Sequence, residues 1–181
     1  MCGRHYYQVL RTGSVYKTVY DKRPAIIEGS IARIPLGIEA KDGYAIVDKK
    51  YAYLDKYYWS KGKNGYVHGI VSDTGDVLLH RYVMGLPSLE VDHVDHDKLN
   101  NTSGNLRLCT PSQNKGNMRT PKTNKTGYKG VKWHVKNQKW IAQIAGRYIG
   151  SFMNKEEAAE AYNQKAIEKW GNYAHLNEIG S

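Results

Sequence analysis

Residues 90–107 read E-V-D-H-V-D-H-D-K-L-N-N-T-S-G-N-L-R. Glu90, Asp92, Asp95 and Asp97 fall within eight positions, and His93 and His96 each follow an aspartate. From Lys98 to Lys155 no Asp or Glu occurs, while twelve Lys and Arg do. Acids and imidazoles beside a long acid-free basic track suit metal-assisted chemistry on a polyanion. Hydrolysing a phosphodiester calls for a hard divalent cation to offset charge developing on oxygen, and for a base to deprotonate water. Asp92 can supply a carboxylate oxygen and Asn114 an amide oxygen. His93 is the natural general base, since a neutral imidazole accepts a proton near pH 7. Its second ring nitrogen needs an orienting acceptor, for which Asn105 offers an amide oxygen. The second Asp-His pair, Asp95-His96, is open to three roles: binding phosphate, assisting, or standing in solvent. His80 is a candidate phosphate contact. Arg81 serves either DNA binding or packing. Asn100 and Asn101 suit turns better than ligation.

The elements that must position these groups follow from local pattern. Glu90–His93 reads as a strand, 94–104 as a polar loop and Leu106–Cys109 as a second strand. Thr110-Pro111-Ser112-Gln113 then announces a helix: Thr110 as N-cap, Pro111 at the first helical position, Gln113 closing a capping box. Upstream, strand-like runs at Ile31–Ile34, Tyr44–Val47, Tyr66–Val71 and Val77–Tyr82 lie between turn formers and suggest one small antiparallel sheet. Downstream, Gly130–Val135, Lys139–Ile144 and Arg147–Phe152 read as strands. A helix opening at Asn154 follows, with an apolar stripe of Ala158, Ala161, Tyr162, Ala166, Ile167 and Trp170 ended by Gly171.

The motifs D-H, N-L-R and S-Q-N-K-G-N, with L-H-R-Y-V-M-G upstream, resemble the HNH endonucleases of the phage and intron-encoded homing type. That resemblance implies a ββα-metal unit binding one Mg²⁺ or Mn²⁺. Asp92 and Asn114 match its metal ligands, His93 its water-activating base and Asn105 the Asn that orients the base. The third motif position holds Asn114 rather than His, which exchanges a nitrogen donor for oxygen and still suits Mg²⁺.

Three strands and a helix carrying Y-K-G-V, K-W-I-A-Q-I, Y-I-G-S-F and E-E-A-A-E-A-Y-N-Q-K-A-I resemble an AP2 DNA-binding domain, whose sheet lies in the major groove. The alternation puts Trp140, Ala142 and Ile144 on the face suited to the helix. Lys139, Ile141 and Gln143 share the other. Lys129, Lys132, His134, Lys139, Gln143 and Tyr148 are the expected DNA contacts, the lysines on phosphates and Gln143 on a base edge. The sheet carries Lys, His and Gln where plant AP2 domains use several Arg, so no base preference carries over.

Bulk properties agree with a polyanion partner. The net charge is +10 over 181 residues. The acid-free window alone carries +12 and interleaves Tyr128, Trp133, Trp140 and Tyr148 with the lysines. Cationic and stacking groups together suit nucleic acid. Cys2 and Cys109 are too few and too far apart for a disulfide framework, which points to a reducing cytoplasm. No apolar run is long enough to span a membrane.

The expected architecture is α+β. Residues 1–30 form an unassigned basic, aromatic segment, 31–119 the nuclease domain with its core motif at 89–118, 120–127 a linker and 128–181 the AP2-like domain. The expected function is site-preferring, metal-dependent cleavage of double-stranded DNA. The principal alternative is a DNA-binding regulator that retains an inactive nuclease fold; an RNA-directed protein is a third. Neither the target site, nor nicking against double-strand cleavage, nor monomer against dimer, follows from the sequence.

Overall fold

A computed structural model describes residues 24–180 apart from Asp73. Most of the basic N-terminal segment, Cys2 included, lies outside the described residues. The chain divides into two compact units, residues 1–108 and 109–181.

The first unit is built on short antiparallel strands. Strands β1 (Ile26–Glu28), β2 (Ile31–Pro35) and β3 (Tyr44–Asp48) form one sheet, in that order. Strands β4 (Trp59–Lys61), β5 (Val67–Val71) and β6 (Gly75–Leu78) form another. One sheet was expected from the sequence; two are found. Between them, 3-10 turns over Lys49–Lys56 bring Leu54 inward, and the Trp59 indole N–H donates to the Leu54 carbonyl at 2.9 Å. Alternation explains the core. Ala32 and Ile34 of β2 face inward beside Ala45 and Val47 of β3. Trp59, Leu36, Leu54, Val67, Val71 and Leu79 complete a fully buried cluster with them. Burying each large aliphatic side chain contributes about 1.5–3 kcal/mol.

The run expected as a strand over Val77–Tyr82 changes conformation part-way. Strand β6 ends at Leu78, and Leu79–Val83 is a short helix, α1. Its 3.6-residue period turns Leu79, His80 and Val83 inward together, which strand alternation would not do. Strands β7 (Glu90–His93) and β8 (Leu106–Cys109) pair with each other as a two-stranded ribbon, at the bounds expected from the sequence. The loop between them docks on β3. The amide of Ile46 donates to Leu99 and that of Asn101 to Ile46, at 2.8 and 2.7 Å.

The second unit opens with helix α2 (Pro111–Asn117), which carries the expected capping box. The Gln113 amide donates to Thr110 Oγ1 at 3.2 Å, and Gln113 Oε1 accepts from the Thr110 amide at 2.8 Å. Strands β9 (Val131–His134), β10 (Lys139–Ile144) and β11 (Arg147–Phe152) form an antiparallel sheet with β10 central. Helix α3 (Lys155–Trp170) packs on one face of that sheet through Ala158, Ala159, Tyr162, Ala166 and Trp170. Ile167, expected in the stripe, is 53% exposed, while Ala159 is buried in the core instead. Asn154 stands at the N-cap, but its side chain bonds Glu157 rather than a backbone amide. Gly130 sits where the chain passes under α3. Its φ is +76°, and a Cβ there would collide with the Tyr162 ring.

Candidate active site

Asp92 and His93 end strand β7 and are both buried, at 7% and 4% exposure. A buried carboxylate needs a partner, and Arg107 of β8 supplies one. Its Nε and a terminal nitrogen both donate to Asp92 Oδ2, at 3.0 and 2.9 Å. The third letter of the N-L-R motif thereby fixes the aspartate across the ribbon.

Next to it, His93 is held by Asn101. Its Nε2 lies 3.3 Å from Asn101 Oδ1. The direction of this bond follows from the other end of the amide. Asn101 Nδ2 donates to the carbonyls of Lys98 and Leu99, at 3.3 and 2.9 Å. That fixes Oδ1 toward the imidazole, so Nε2 must carry the hydrogen and Nδ1 is the basic nitrogen. Burial lowers the His93 pKa; the Asn101 bond and the charges of Asp95, Asp92 and Asp97 oppose the shift. Asn101 itself is fully buried. It is the orienting side chain at Nε2 that sequence reasoning treated as a turn former. No local signal marked it, since Asn100 beside it offers the same amide.

Asn105 is occupied with the loop. Its Oδ1 accepts from the Asp95 amide at 3.0 Å, and its Nδ2 donates to Asp95 Oδ1 and to the Asn100 carbonyl, both at 2.8 Å. Asp95 also accepts from the Asp97 amide and from Asn100 Nδ2, each at 2.8 Å. Burial alone would raise the Asp95 pKa, but the bonds from Asn100, Asp97 and Asn105 outweigh it and hold the carboxyl below its ordinary value. These bonds give Asp95 a part outside the three roles left open by the sequence: it ties the loop together. His96 is half-buried in the turn, with φ +65°. Asn114, on α2 of the second unit, is half-buried.

His80 packs edge-on against His93, ring centroids 5.1 Å apart, and Tyr66 lies beside both. Its Nδ1 is buried without a hydrogen-bond partner. Burial, then the charges of His93, Arg81 and Lys98, lower its pKa to about 4. Below the unfolded value of 6.5 the unfolded chain takes up a proton that folded His80 refuses until about pH 4. Stability should therefore be full above pH 6.5 and fall by about 3 kcal/mol as pH drops toward 4. Urea midpoints across that range should flatten in His80→Phe, which keeps the ring packing. An identical profile in the variant would locate the titration elsewhere. Arg81 points to backbone: its guanidinium donates to the carbonyls of Pro87 and Leu89.

The register of the C-terminal sheet sorts the expected DNA contacts. His134 pairs with Lys139, Lys132 with Ile141, and Gln143 with Tyr148. These six share the face opposite α3, with Tyr148 65% exposed. On the helix-facing side, Trp133 meets Trp140 edge-on at 5.0 Å. Lys129 behaves differently from the other lysines. Its Nζ donates to the carbonyls of Gly116 and Met118, at 2.7 and 2.6 Å, and burial lowers its pKa to about 8.

The description "HNH endonuclease" matches residues 77–115, a span holding every nuclease-site candidate from His80 to Asn114. An uncharacterized HNH endonuclease of Acanthamoeba polyphaga mimivirus is 37% identical over 137 residues, covering 72% of each chain. The chain belongs to the HNH endonuclease family. It is accordingly an HNH-type DNA endonuclease. Protein 3.8 of Escherichia phage T7 is 44% identical over 54 residues, 30% of this chain and 45% of that protein. No solved structure matches. Among the described residues of this HNH endonuclease, no helix is long and apolar enough to cross a membrane.

Proposed function

We propose that this endonuclease is a site-preferring, metal-dependent enzyme of the phage homing type, cutting double-stranded DNA under the guidance of an AP2-like C-terminal domain. The observation that carries the reading is the buried imidazole of His93, tied through Nε2 to Asn101 beside a fixed carboxylate.

Among the described residues no group of three or more His, Cys, Asp or Glu gathers to hold a metal. An oxygen set of one carboxylate and one amide, Asp92 with Asn114, fits Mg²⁺ nonetheless, because that ion retains several waters and takes one or two carboxylates beside phosphate. When bound, the ion supplies Lewis-acid stabilisation of charge developing on the phosphate. Asp92 is kept aimed by Arg107. His93 takes the water proton at Nδ1, while Asn101 holds the ring through Nε2 and Asn105 braces the loop that presents Asn101. His80 and His96 are phosphate contacts. Arg81 supports the DNA-binding side by bracing the turn after α1.

Lys132, His134, Lys139, Gln143 and Tyr148 form the DNA face of the C-terminal sheet; Lys129, expected among them, is left out of it because its ammonium bonds the Gly116 and Met118 carbonyls. The HNH-then-AP2 order and the viral relatives support the homing-type reading and action in a host cytoplasm.

Supercoiled plasmid carrying a cognate site should become open-circle or linear with Mg²⁺ or Mn²⁺ and stay intact in EDTA. Affinity should fall steeply with salt, and Lys132→Ala should reduce the slope of log K against log salt by about one phosphate. Tight binding without any metal-dependent product would favour an inactive DNA-binding regulator, and preference for RNA of the same sequence would overturn the DNA reading.

A further inference from the structure

Helix α2 is seven residues long, too short to be stable by itself in water. Its support comes from the far end of the chain. Gly116 lies so close under Trp170 that a Cβ there would meet the indole at 2.6 Å. The Trp170 indole N–H donates to Ser112 Oγ at 3.1 Å, one turn earlier on the same helix. The C-terminal carbonyls of a helix lack intrahelical donors, and two groups from downstream meet them here with three hydrogen bonds. Lys129 Nζ donates to Gly116 and Met118, and the His175 amide donates to Gly116 at 3.1 Å. An ammonium at this end also opposes the negative pole of the helix. The same ammonium lies 5.8 Å from the Trp170 ring centroid. Ser112 and Gly116 bracket Asn114 by two residues on each side. Both fixed points of the helix therefore lie within one turn of that residue.

We propose that Trp170 and Lys129 are positioning residues for Asn114, which fix the helix that carries it. The inference rests on the assignment of Asn114 to the metal made above. Without Trp170 and Lys129, α2 keeps its N-terminal capping box but loses both the ring that clamps its middle and the donors that close its end. Asn114 then samples several orientations, and each cation-binding event must select the productive one.

The test compares full-length wild type with Trp170→Phe, Lys129→Met and Lys129→Arg. Phenylalanine keeps most of the packing and removes the bond to Ser112. Methionine removes the capping donors, and arginine restores donors to the same carbonyls. Four quantities are read: kcat, DNA affinity in EDTA, Mn²⁺ affinity by electron paramagnetic resonance of free ion, and hydrogen exchange of the α2 amides. Lys129→Met and Trp170→Phe should lower kcat and Mn²⁺ affinity about 10- to 100-fold. Exchange over residues 111–117 should quicken, metal-free DNA affinity should stay within about twofold, and Lys129→Arg should recover most of the loss. Loss of DNA affinity in step with kcat, or unchanged kcat and Mn²⁺ affinity with faster exchange, would overturn the inference. Asp92→Ala and Asn114→Ala in the same assay separate the two readings. If they cut normally, the site assignment itself is wrong. If they fail while Lys129→Met and Trp170→Phe cut normally, the site stands and only the positioning role falls.

Discussion

His93→Ala should lower the cleavage rate about 10²–10⁴-fold while leaving DNA affinity within a factor of two. The imidazole is buried, and its Nε2 is occupied by Asn101. Removing it takes away the basic Nδ1 and no cationic contact to phosphate, because burial keeps the ring neutral near pH 7. The lowered pKa also fixes the shape of the pH profile. A base works only when deprotonated, so the acid limb should lie below 6.5, the ordinary histidine value. Asn101→Asp supplies an internal check. A carboxylate in place of the amide still accepts from Nε2 but stabilises the imidazolium, so the acid limb should move upward. Single-turnover cleavage against pH, with DNA binding measured by fluorescence anisotropy, checks both. A wild-type-like rate in His93→Ala would remove His93 from the chemistry. Equal losses of rate and affinity would make it a structural or binding residue.

What the sequence disclosed, and what it withheld, divides by the range of the interactions involved. The Glu90–His93 and Leu106–Cys109 strands and the Thr110–Gln113 capping box are set by residues within a few positions of one another, and they occur at the expected bounds. The same holds for Lys139–Ile144 and Arg147–Phe152. The helix at Leu79–Val83 escaped because V-L-L-H-R-Y-V suits a strand as well as a buried helical turn, and only the core that receives Leu79, His80 and Val83 decides between them. Lys129 looked like one more cation in a basic track. Its ammonium is committed to carbonyls 13 and 11 positions earlier, a contact no local pattern announces. Likewise, N-N at 100 and 101 is a turn signal, and nothing in it separates the amide that faces His93 from the one that braces Asp95.

Asn105→Ala should cost about 1–2 kcal/mol of stability and lower the cleavage rate about 10- to 100-fold. Asn105 is 8% exposed and its side chain makes three hydrogen bonds, all to Asp95 or Asn100. Truncation leaves the Asp95 amide and the Asn100 carbonyl short of a partner, while Asp95 Oδ1 keeps the Asp97 amide. Asp95 is exposed and Asn100 half-buried, so water takes up part of the loss and the cost is nearer that of ordinary hydrogen bonds, about 1 kcal/mol apiece. The rate falls because Asn101, which holds His93, immediately follows Asn100 in the chain. Asn105→Asp distinguishes this brace from direct orientation of the imidazole. It would set a second carboxylate where Nδ2 now lies 2.8 Å from Asp95 Oδ1. Two carboxylates at that distance repel when both are ionised, so the variant should be least stable near neutral pH and regain part of its loss as pH falls toward 4. Direct orientation of His93 predicts the opposite pattern: near-normal stability, and a rate defect in Asn105→Ala as large as that of Asn101→Ala. Urea denaturation at pH 7 and pH 4.5, paired with cleavage rates for the three variants, separates the two, because only the brace links the rate defect to a pH-dependent loss of stability.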